Sequence, residues 1–217
     1  MIYFEAFANA LDAGATDFYI DIKHGKGLQN LSLVLRDNGI GFTEERFQKF
    51  QKLFDVEEDP SHKGLGRLVY LCYFSKIHIE SCFNNSVRRV FDFDESFSGT
   101  SQTIHTGNED NGTVLTMTEF LGTKLGRNDY IKPSYIKNAL LENFYTKFYK
   151  AKQEDKQLNI YIRLFVNGQI TSEEVITTDS IPPFIIKPLT IQTDLFNKID
   201  LCYNVREVDL KDTKVIT

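Results

Sequence analysis

The stretch from Glu5 to Ala15, EAFANALDAGA, is typical of a helix that is apolar on almost every side. Glu5, Asn9 and Asp12 interrupt it at spacings of four and three residues. At about 100° per residue these three side chains fall within about 60° of one another and form one narrow line. Buried carboxylates and amides need partners. The line therefore predicts either a bound ligand that brings positive charge and hydrogen-bonding groups, or a helix with one edge at the surface.

Composition excludes several classes of protein. The chain has 217 residues, 41% of them hydrophobic, which is enough for a sizeable core. Its net charge of −5 gives no general attraction to nucleic acid or anionic lipid. No apolar run of about 18 residues is present, so no membrane span is predicted. Cys72, Cys82 and Cys202 have no CxxC spacing and favour free thiols in a reducing compartment, so we expect a cytoplasmic protein.

The pattern of apolar and polar residues predicts an α+β fold. Gly14 ends the first helix, and two further helices are predicted over 43–54, with Thr43 as N-cap, and within 63–74. Strands are predicted over 17–25, 31–42, 75–83, 87–97 and 112–120, with an exposed turn over 98–112. This order predicts a two-layer sandwich, a mostly antiparallel sheet with helices on one face.

A domain boundary is expected near residue 126, which gives domains at 1–125 and 126–217. Residues 133–153 are predicted as one long amphipathic helix, and 159–170 as a strand that runs into the hairpin signal Asn-Gly. A connector with prolines follows, and the last residues look like the opening of another β unit. The second region is therefore expected to be truncated, as the start of a longer protein.

Two glycine-rich stretches follow the first helix. RDNGIGF places Asp37, Gly39 and Gly41 at the end of a strand, which is typical of a hairpin turn or of a turn that lets a flat ring approach the backbone. HKGLGR, residues 62–67, places two glycines between a lysine and an arginine, ahead of a predicted helix. Such loops expose backbone N–H groups that suit phosphate, although a single GxG is a weak signal.

In this order and at these separations, the stretches resemble the GHKL superfamily, the ATPases that include Hsp90, the gyrase B subunit, MutL, MORC proteins and histidine-kinase catalytic domains. The resemblance covers residues 1 to about 122. It rests on the N-box E-x-x-x-N-x-x-D-A, the G1 box D-x-G-x-G, the G2 loop KGLGR and a Gly-Thr pair on a late strand. The matching residues are Glu5, Asn9, Asp12 and Ala13; Asp37, Gly39 and Gly41; Lys63, Gly64, Leu65, Gly66 and Arg67; and Gly112 and Thr113.

The resemblance implies the Bergerat α/β sandwich, with ATP between the helices and the sheet. Asp37 would accept hydrogen bonds from the adenine amino group, Thr113 would add a hydroxyl contact, and Gly41 would leave space for the ring. Asn9 would offer an oxygen to Mg²⁺. The phosphates would be neutralised by Lys63, Arg67 and the amides of Gly64–Gly66.

The resemblance also implies an activity. Glu5 would position and deprotonate the attacking water, which favours hydrolysis, since histidine kinases generally lack this residue. Asp12 would lie near the nucleotide or fix neighbouring structure. We expect a Mg²⁺-dependent ATPase whose lid controls dimerisation or a downstream domain. The alternatives are a nucleotide-binding switch without turnover and, less favoured, a phosphotransfer kinase domain.

The sequence departs from the family pattern in two respects. Relatives carry sequence before the N-box, so we expect either that an N-terminal strand or dimer arm is missing here or that the start of the sequence is mis-set. Relatives of the Hsp90 and MutL type take a γ-phosphate lysine from a following domain. Lys187 and Lys198 are available for that role, and nothing in the sequence selects either.

Overall fold

The computed structural model describes residues 2–51, 66–122, 128–181, 185–189 and 199–203. The chain forms two compact units, Met1–Asp179 and Ser180–Thr217. The described part of the second unit is an antiparallel pair of strands, Ile185–Leu189 and Ile199–Tyr203. The first unit contains every other described helix and strand.

The first unit is α+β, as predicted. Its helices are α1 (Ile2–Asp12), α2 (Glu44–Gln51), α3 (Leu68–Leu71), α4 (Pro133–Asn143) and α5 (Tyr145–Gln153), with 3₁₀ turns at Asn128–Ile131 and Thr178–Ser180. Its strands are β1 (Asp17–Gly25), β2 (Gly27–Asp37), β3 (Phe74–Phe83), β4 (Val87–Phe93), β5 (Gln102–His105), β6 (Gly112–Phe120), β7 (Asn159–Val166) and β8 (Gln169–Thr177). They form one sheet in the order β5-β4-β3-β6-β2-β1-β7-β8. Only the β1–β7 pair is parallel among these strands.

The two faces of the sheet differ in polarity because side chains alternate along each strand. One row of the apolar face contains Ile20, Leu35 and Ile79, all essentially buried under the helices. We call this the core face. On the opposite face, Asp21 pairs with Arg163 at 2.7 Å. The two layers predicted from the sequence, with helices on one face, are confirmed.

Helix α1 is held against the core face by Phe7, which is 2% exposed. The Phe7 ring lies 5.5 Å from that of Phe18 in β1, 5.0 Å from Phe144 and 5.6 Å from Phe148 in α5. The helix ends where predicted, because Gly14 follows it with φ at +72°. The sheet, α1 and the start of α5 therefore meet at the Phe7 ring.

Helix α2 covers the other half of the core face. Phe47 and Phe50 are buried, with ring centroids 5.0 and 5.4 Å from that of Phe91 in β4. The predicted N-cap is present, since the Arg46 N–H donates to the Thr43 hydroxyl at 3.4 Å. This places the turn between β2 and α2 above the end of the sheet.

Three predicted elements differ from the structure. The single helix over 133–153 is wrong, because it breaks at Phe144, whose φ of −114° and ψ of 18° leave the helical range. The stretch 98–112, which is expected to contain an exposed turn, also contains β5, a short exposed strand that pairs with β4. The buried helix expected within 63–74 shortens to the four residues of α3. The hairpin at Asn167-Gly168 is confirmed, with φ of 51° and 82°.

The sheet crosses the boundary expected near residue 126. Strand β7 pairs in parallel with β1 along its whole length, from Asp17 with Asn159 to His24 with Val166. Strand β8 extends the same sheet. The division into domains at 1–125 and 126–217 stays a prediction.

Replacing Phe7 should uncouple α1 from the rest of the fold. We expect Phe7→Ala to lower the free energy of unfolding by about 3–5 kcal/mol, because it leaves a cavity among three aromatic rings. The measurement is urea unfolding followed by circular dichroism. Phe4→Ala is the matched control, since Phe4 is half-buried and its described ring contact is Phe144 at 6.0 Å. Equal losses for both variants would contradict the central position of Phe7.

Candidate functional site

Four adjacent strands place polar side chains on the core face at one end of the sheet. Asp37 of β2 pairs with Thr113 of β6, Thr113 with Ser81 of β3, and Ser81 with Arg89 of β4. Ser81 and Arg89 are each 2% exposed and Thr113 is 7% exposed. We call these four residues the polar row. Polar groups buried on an otherwise apolar face mark this end of the sheet as the candidate site.

The Asp37 carboxylate is the strongest acceptor in the polar row. The Gly39 N–H donates to its Oδ1 atom at 2.8 Å. Burial raises the pKa of Asp37 from 3.8 to about 6, although the Gly39 hydrogen bond and the charge of Arg46 oppose the rise. At pH 7 the group is therefore mostly ionised and accepts hydrogen bonds without donating any.

The two glycines of the G1 box are required by close contacts. A Cβ atom at Gly39 would lie 2.6 Å from that of Ala13 and 2.9 Å from Asp37 Oδ1. Gly41 has φ at +75°, and a Cβ there would overlap the carbonyl oxygen of Cys82. Ala13 is buried, and its carbonyl accepts the Ile40 N–H at 3.0 Å. The structure thus brings the end of the N-box helix directly onto the G1 turn.

The polar line predicted on α1 is present. The Asn9 amide donates to Glu5 Oε1 at 3.3 Å, one helical turn away. The Glu5 carboxylate lies so close to Gly66 that a Cβ atom there would overlap it. Glu5 is half-buried, and Asn9 and the third member of the line, Asp12, are both exposed. The Asp12 carbonyl accepts a hydrogen bond from Arg46 at 2.6 Å. Glu5 therefore faces Gly66, in the described end of the G2 loop, whereas Asp12 contacts α2 through its backbone.

Only the end of the predicted G2 loop is described. Lys63, Gly64 and Leu65 lie outside the described residues. The Arg67 guanidinium stacks 4.6 Å above the Phe50 ring and donates to the Lys49 carbonyl at 3.3 Å. Burial lowers the pKa of Arg67, and the nearby charge of Glu5 opposes that change.

Tyr70, in the helix α3 that follows the G2 loop, contacts Asn9 of the N-box. It is 3% exposed, and its hydroxyl is hydrogen-bonded to the side chain of Asn9. Burial, followed by the negative charges of Glu5 and Asp37, raises the pKa of this phenol. Tyr70 therefore stays neutral. It lies near Asn9, Glu5 and Asp37, to which the family resemblance assigns contacts with Mg²⁺, the attacking water and adenine.

Sequence reasoning missed Ser81, Tyr70 and Arg89. For Ser81 a signal was available, because in SKIHIESCF it follows Ile77 and Ile79 in the same alternating phase. A polar residue at a core-facing position indicates a buried polar site. Arg89 follows the same rule in β4. Tyr70 lies in a short helix without a repeat and offered no comparable signal.

Arg89 closes the far end of the polar row. Its guanidinium lies 4.2 Å above the Phe47 ring and pairs with Glu44 at 2.6 Å. The hydrogen bond from Arg89 lowers the pKa of Glu44, the first residue of α2. Because Arg89 is buried and Glu44 exposed, the pair fixes the start of α2 above β4.

The described ranges contain no group of three or more His, Cys, Asp or Glu side chains that would hold a metal ion. No helix in the described part of the chain is long and apolar enough to cross a membrane.

A cleft of about 550 Å³ lies at this end of the sheet, and three residues of the polar row, Asp37, Ser81 and Thr113, are among its lining residues. Its other charged lining residues are Arg36, Glu80, Arg88, Glu109 and Asp110. Arg88 bonds Glu109 at 2.5 Å and lies 3.6 Å from Glu80, and Arg36 reaches Asp21 at 3.3 Å. The cleft therefore adjoins the candidate site.

The buried carboxylate should make stability depend on pH in a predictable direction. Because the folded pKa of Asp37 is raised from 3.8 to about 6, its contribution to stability is fully present below 3.8 and is lost as the pH rises through about 6. Asp37→Asn carries no such charge. We expect the stability of the variant relative to wild type to increase between pH 4 and pH 7, by up to about 3 kcal/mol for a shift of about two units.

Urea unfolding at several pH values measures this difference. Asp110→Asn, at an exposed position on the loop before β6, is the control and should follow wild type at every pH. Parallel profiles for wild type and Asp37→Asn would show that the Asp37 carboxylate is solvated in the folded protein.

Comparison with known proteins gives likenesses only among solved structures. No protein-family model and no curated protein matches the chain. It is similar to the N-terminal domain of a DNA repair protein, at 16% identity and a TM-score of 0.45, over 80% of this chain and 50% of that one. It is also similar to the Aquifex aeolicus MutL ATPase domain complexed with ADP, at 19% identity and a TM-score of 0.42, over 79% of this chain and 61% of that one. The chain spans less than two thirds of each structure.

Proposed function

We propose that this chain binds Mg²⁺–ATP between α1 and the core face of the sheet and hydrolyses it. The observation that carries the proposal is the half-buried carboxylate of Asp37, a residue that pairs with Thr113 at the end of the core face and whose pKa burial raises to about 6. A buried acceptor of this kind calls for a donor with N–H groups, and the adenine amino group supplies two. Gly39 packs against Ala13 and Gly41 against Cys82, and these contacts fix the turn that follows Asp37.

The residues on α1 fit the polyphosphate end of the same ligand. Asn9 has a neutral amide oxygen, a ligand type that Mg²⁺ accepts alongside phosphate oxygens and water. No protein cage of carboxylates is needed for a metal that is held mainly by phosphates. Mg²⁺ supplies neutralisation of the phosphate charge when it is bound. The amide and carboxylate of Asn9 and Glu5 already point to one place, since they bond each other.

We assign the role of general base in hydrolysis to Glu5. Its carboxylate accepts a proton from water only if it is released from the Asn9 amide and placed beside the γ-phosphate. The assignment therefore includes a movement of Gly66 and α3 away from Glu5, because Gly66 now lies against that carboxylate. We propose that this segment is the end of a lid whose position reports the nucleotide state to a second copy or to a downstream domain.

One observation favours a second candidate, a nucleotide switch without turnover. Asn9 is engaged by both Glu5 and Tyr70, and the engaged carboxylate is not positioned to act on water. If nucleotide binding leaves these contacts in place, the chain would bind ATP and signal the bound state without hydrolysis. The two candidates share the adenine site. They differ only in whether the Glu5 carboxylate is released from Asn9 to act on water.

Substitutions on α1 separate the two candidates. We expect Glu5→Gln to leave the dissociation constant for ATP within about threefold of wild type, because Gln keeps the shape and the bond to Asn9. Turnover should fall by about 10²–10⁴-fold, the usual contribution of a general base. Asn9→Ala should lose the part of ATP binding that depends on Mg²⁺. Calorimetry and single-turnover phosphate release on the 217-residue chain measure both quantities.

Glu45→Gln is the matched control, since Glu45 is an exposed residue of α2 that pairs with Lys49 at 3.4 Å. It should bind and turn over ATP as wild type does. Hydrolysis by Glu5→Gln at the wild-type rate would favour the switch. Failure of the wild-type chain to bind ATP at all would remove both candidates.

A further inference from the structure

The Ser81 hydroxyl is saturated by three neighbours. Its Oγ atom lies 2.8 Å from the Phe42 backbone nitrogen, 2.9 Å from the Gly112 carbonyl oxygen and 3.0 Å from the Thr113 hydroxyl oxygen. Ser81 is 2% exposed, so solvent does not replace any of these partners. A hydroxyl has one proton and two acceptor positions, which equals the number of neighbours.

The three contacts have one consistent arrangement of protons. The Phe42 N–H can only donate, and the Gly112 carbonyl can only accept. Ser81 therefore gives its single proton to Gly112 and receives one from Phe42. The third contact is then a hydrogen bond only if Thr113 is the donor. The opposite choice would leave the Ser81 and Gly112 oxygens 2.9 Å apart without a proton between them.

This arrangement restricts what Thr113 offers to a ligand. A threonine hydroxyl alone donates or accepts as its partner requires, because the proton rotates freely. Here the proton is used toward Ser81, so the Thr113 oxygen can only accept. Asp37, the neighbour of Thr113 across the β2–β6 pair, also only accepts when ionised. The two residues together present acceptors and no donor.

We propose that Ser81 is a positioning residue that determines base specificity by fixing the Thr113 proton. The inference rests on the proposed adenine site and deepens it. A 6-aminopurine presents two N–H donors and matches two acceptors, whereas a 6-ketopurine presents a carbonyl oxygen that would face an acceptor. Without Ser81, the Thr113 hydroxyl is free to turn and donate to that carbonyl. Selectivity at this site thus depends on a residue of β3, one strand from Thr113 and two strands from Asp37.

A purely structural role for Ser81 predicts something different. Through its bond to the Phe42 N–H, Ser81 also holds the turn that contains Gly41. Loss of that bond would loosen the site for every purine alike. The ratio of dissociation constants for ITP and ATP is therefore the informative quantity, since ITP differs from ATP at the 6-position and the adjacent ring nitrogen.

The test is calorimetric binding of Mg²⁺–ATP and Mg²⁺–ITP to wild type, Ser81→Ala, Thr113→Val and the double variant. We expect wild type to prefer ATP, and Ser81→Ala to reduce the preference about tenfold, the effect of one oriented hydrogen bond. Thr113→Val should reduce it similarly. In the double variant, Ser81→Ala should add no further reduction, because its target is absent. Ser81→Cys, a poorer acceptor of similar shape, should give an intermediate ratio and serves if Ser81→Ala does not fold.

The outcomes separate the inference from the function on which it rests. If wild type binds neither nucleotide, the proposed function is wrong and the inference falls with it. If wild type prefers ATP but Ser81→Ala and Ser81→Cys weaken ATP and ITP by the same factor, Ser81 only supports the turn and the inference is overturned. Additive effects in the double variant would likewise show that Ser81 does not act through Thr113.

Discussion

The packing of Phe7 between β1 and the C-terminal helices determines where α1 lies, and hence where Glu5 and Asn9 point. Glu5 is half-buried and Asn9 is exposed, so the side of α1 that carries them contributes little apolar burial. Its position must come from its apolar neighbours, and Phe7 touches rings from β1, α5 and the break before α5. The elements beyond residue 126 are thus part of the support for residues at the start of the chain.

The polar row forms the other side of the candidate site. Burying its polar groups lowers the stability of the fold. Burial raises the pKa of Asp37, so an ionised carboxylate there is less favourable than in water. The cost is limited because the Gly39 N–H bonds the carboxylate and the charge of Arg46 lies near it. Ser81 and Thr113 avoid a similar cost by bonding each other and the backbone. Destabilised groups of this kind are typical of binding sites, where a ligand completes the missing interactions.

Much of the fold could be predicted because alternation and turn chemistry are local signals. Strand β1 begins and ends where DFYIDIKHG predicts, and Gly14 and Asn167-Gly168 take the conformations expected of them. The break at Phe144 could not be predicted, since the amphipathic pattern continues through it and the packing of Phe144 against Phe7 is a tertiary contact that the local pattern does not contain. The motif residues on α1, the G1 turn and β6 do converge. Ser81 and Tyr70 join them only through the packing of β3 and α3, which no motif specifies.

The parallel pairing of β7 with β1 has a practical consequence for dissecting the protein. A fragment that stops near residue 125 would leave β1 as an open edge, with the backbone groups between Asp17 and His24 unpaired on one side. Phe18 and Ile20 would also lose the apolar cover of Ile160 and Ile162 on the neighbouring strand. Such fragments are prone to strand addition and aggregation. Recombinant versions meant to report on nucleotide chemistry should therefore extend at least to Asp179, even though every motif residue lies before residue 114.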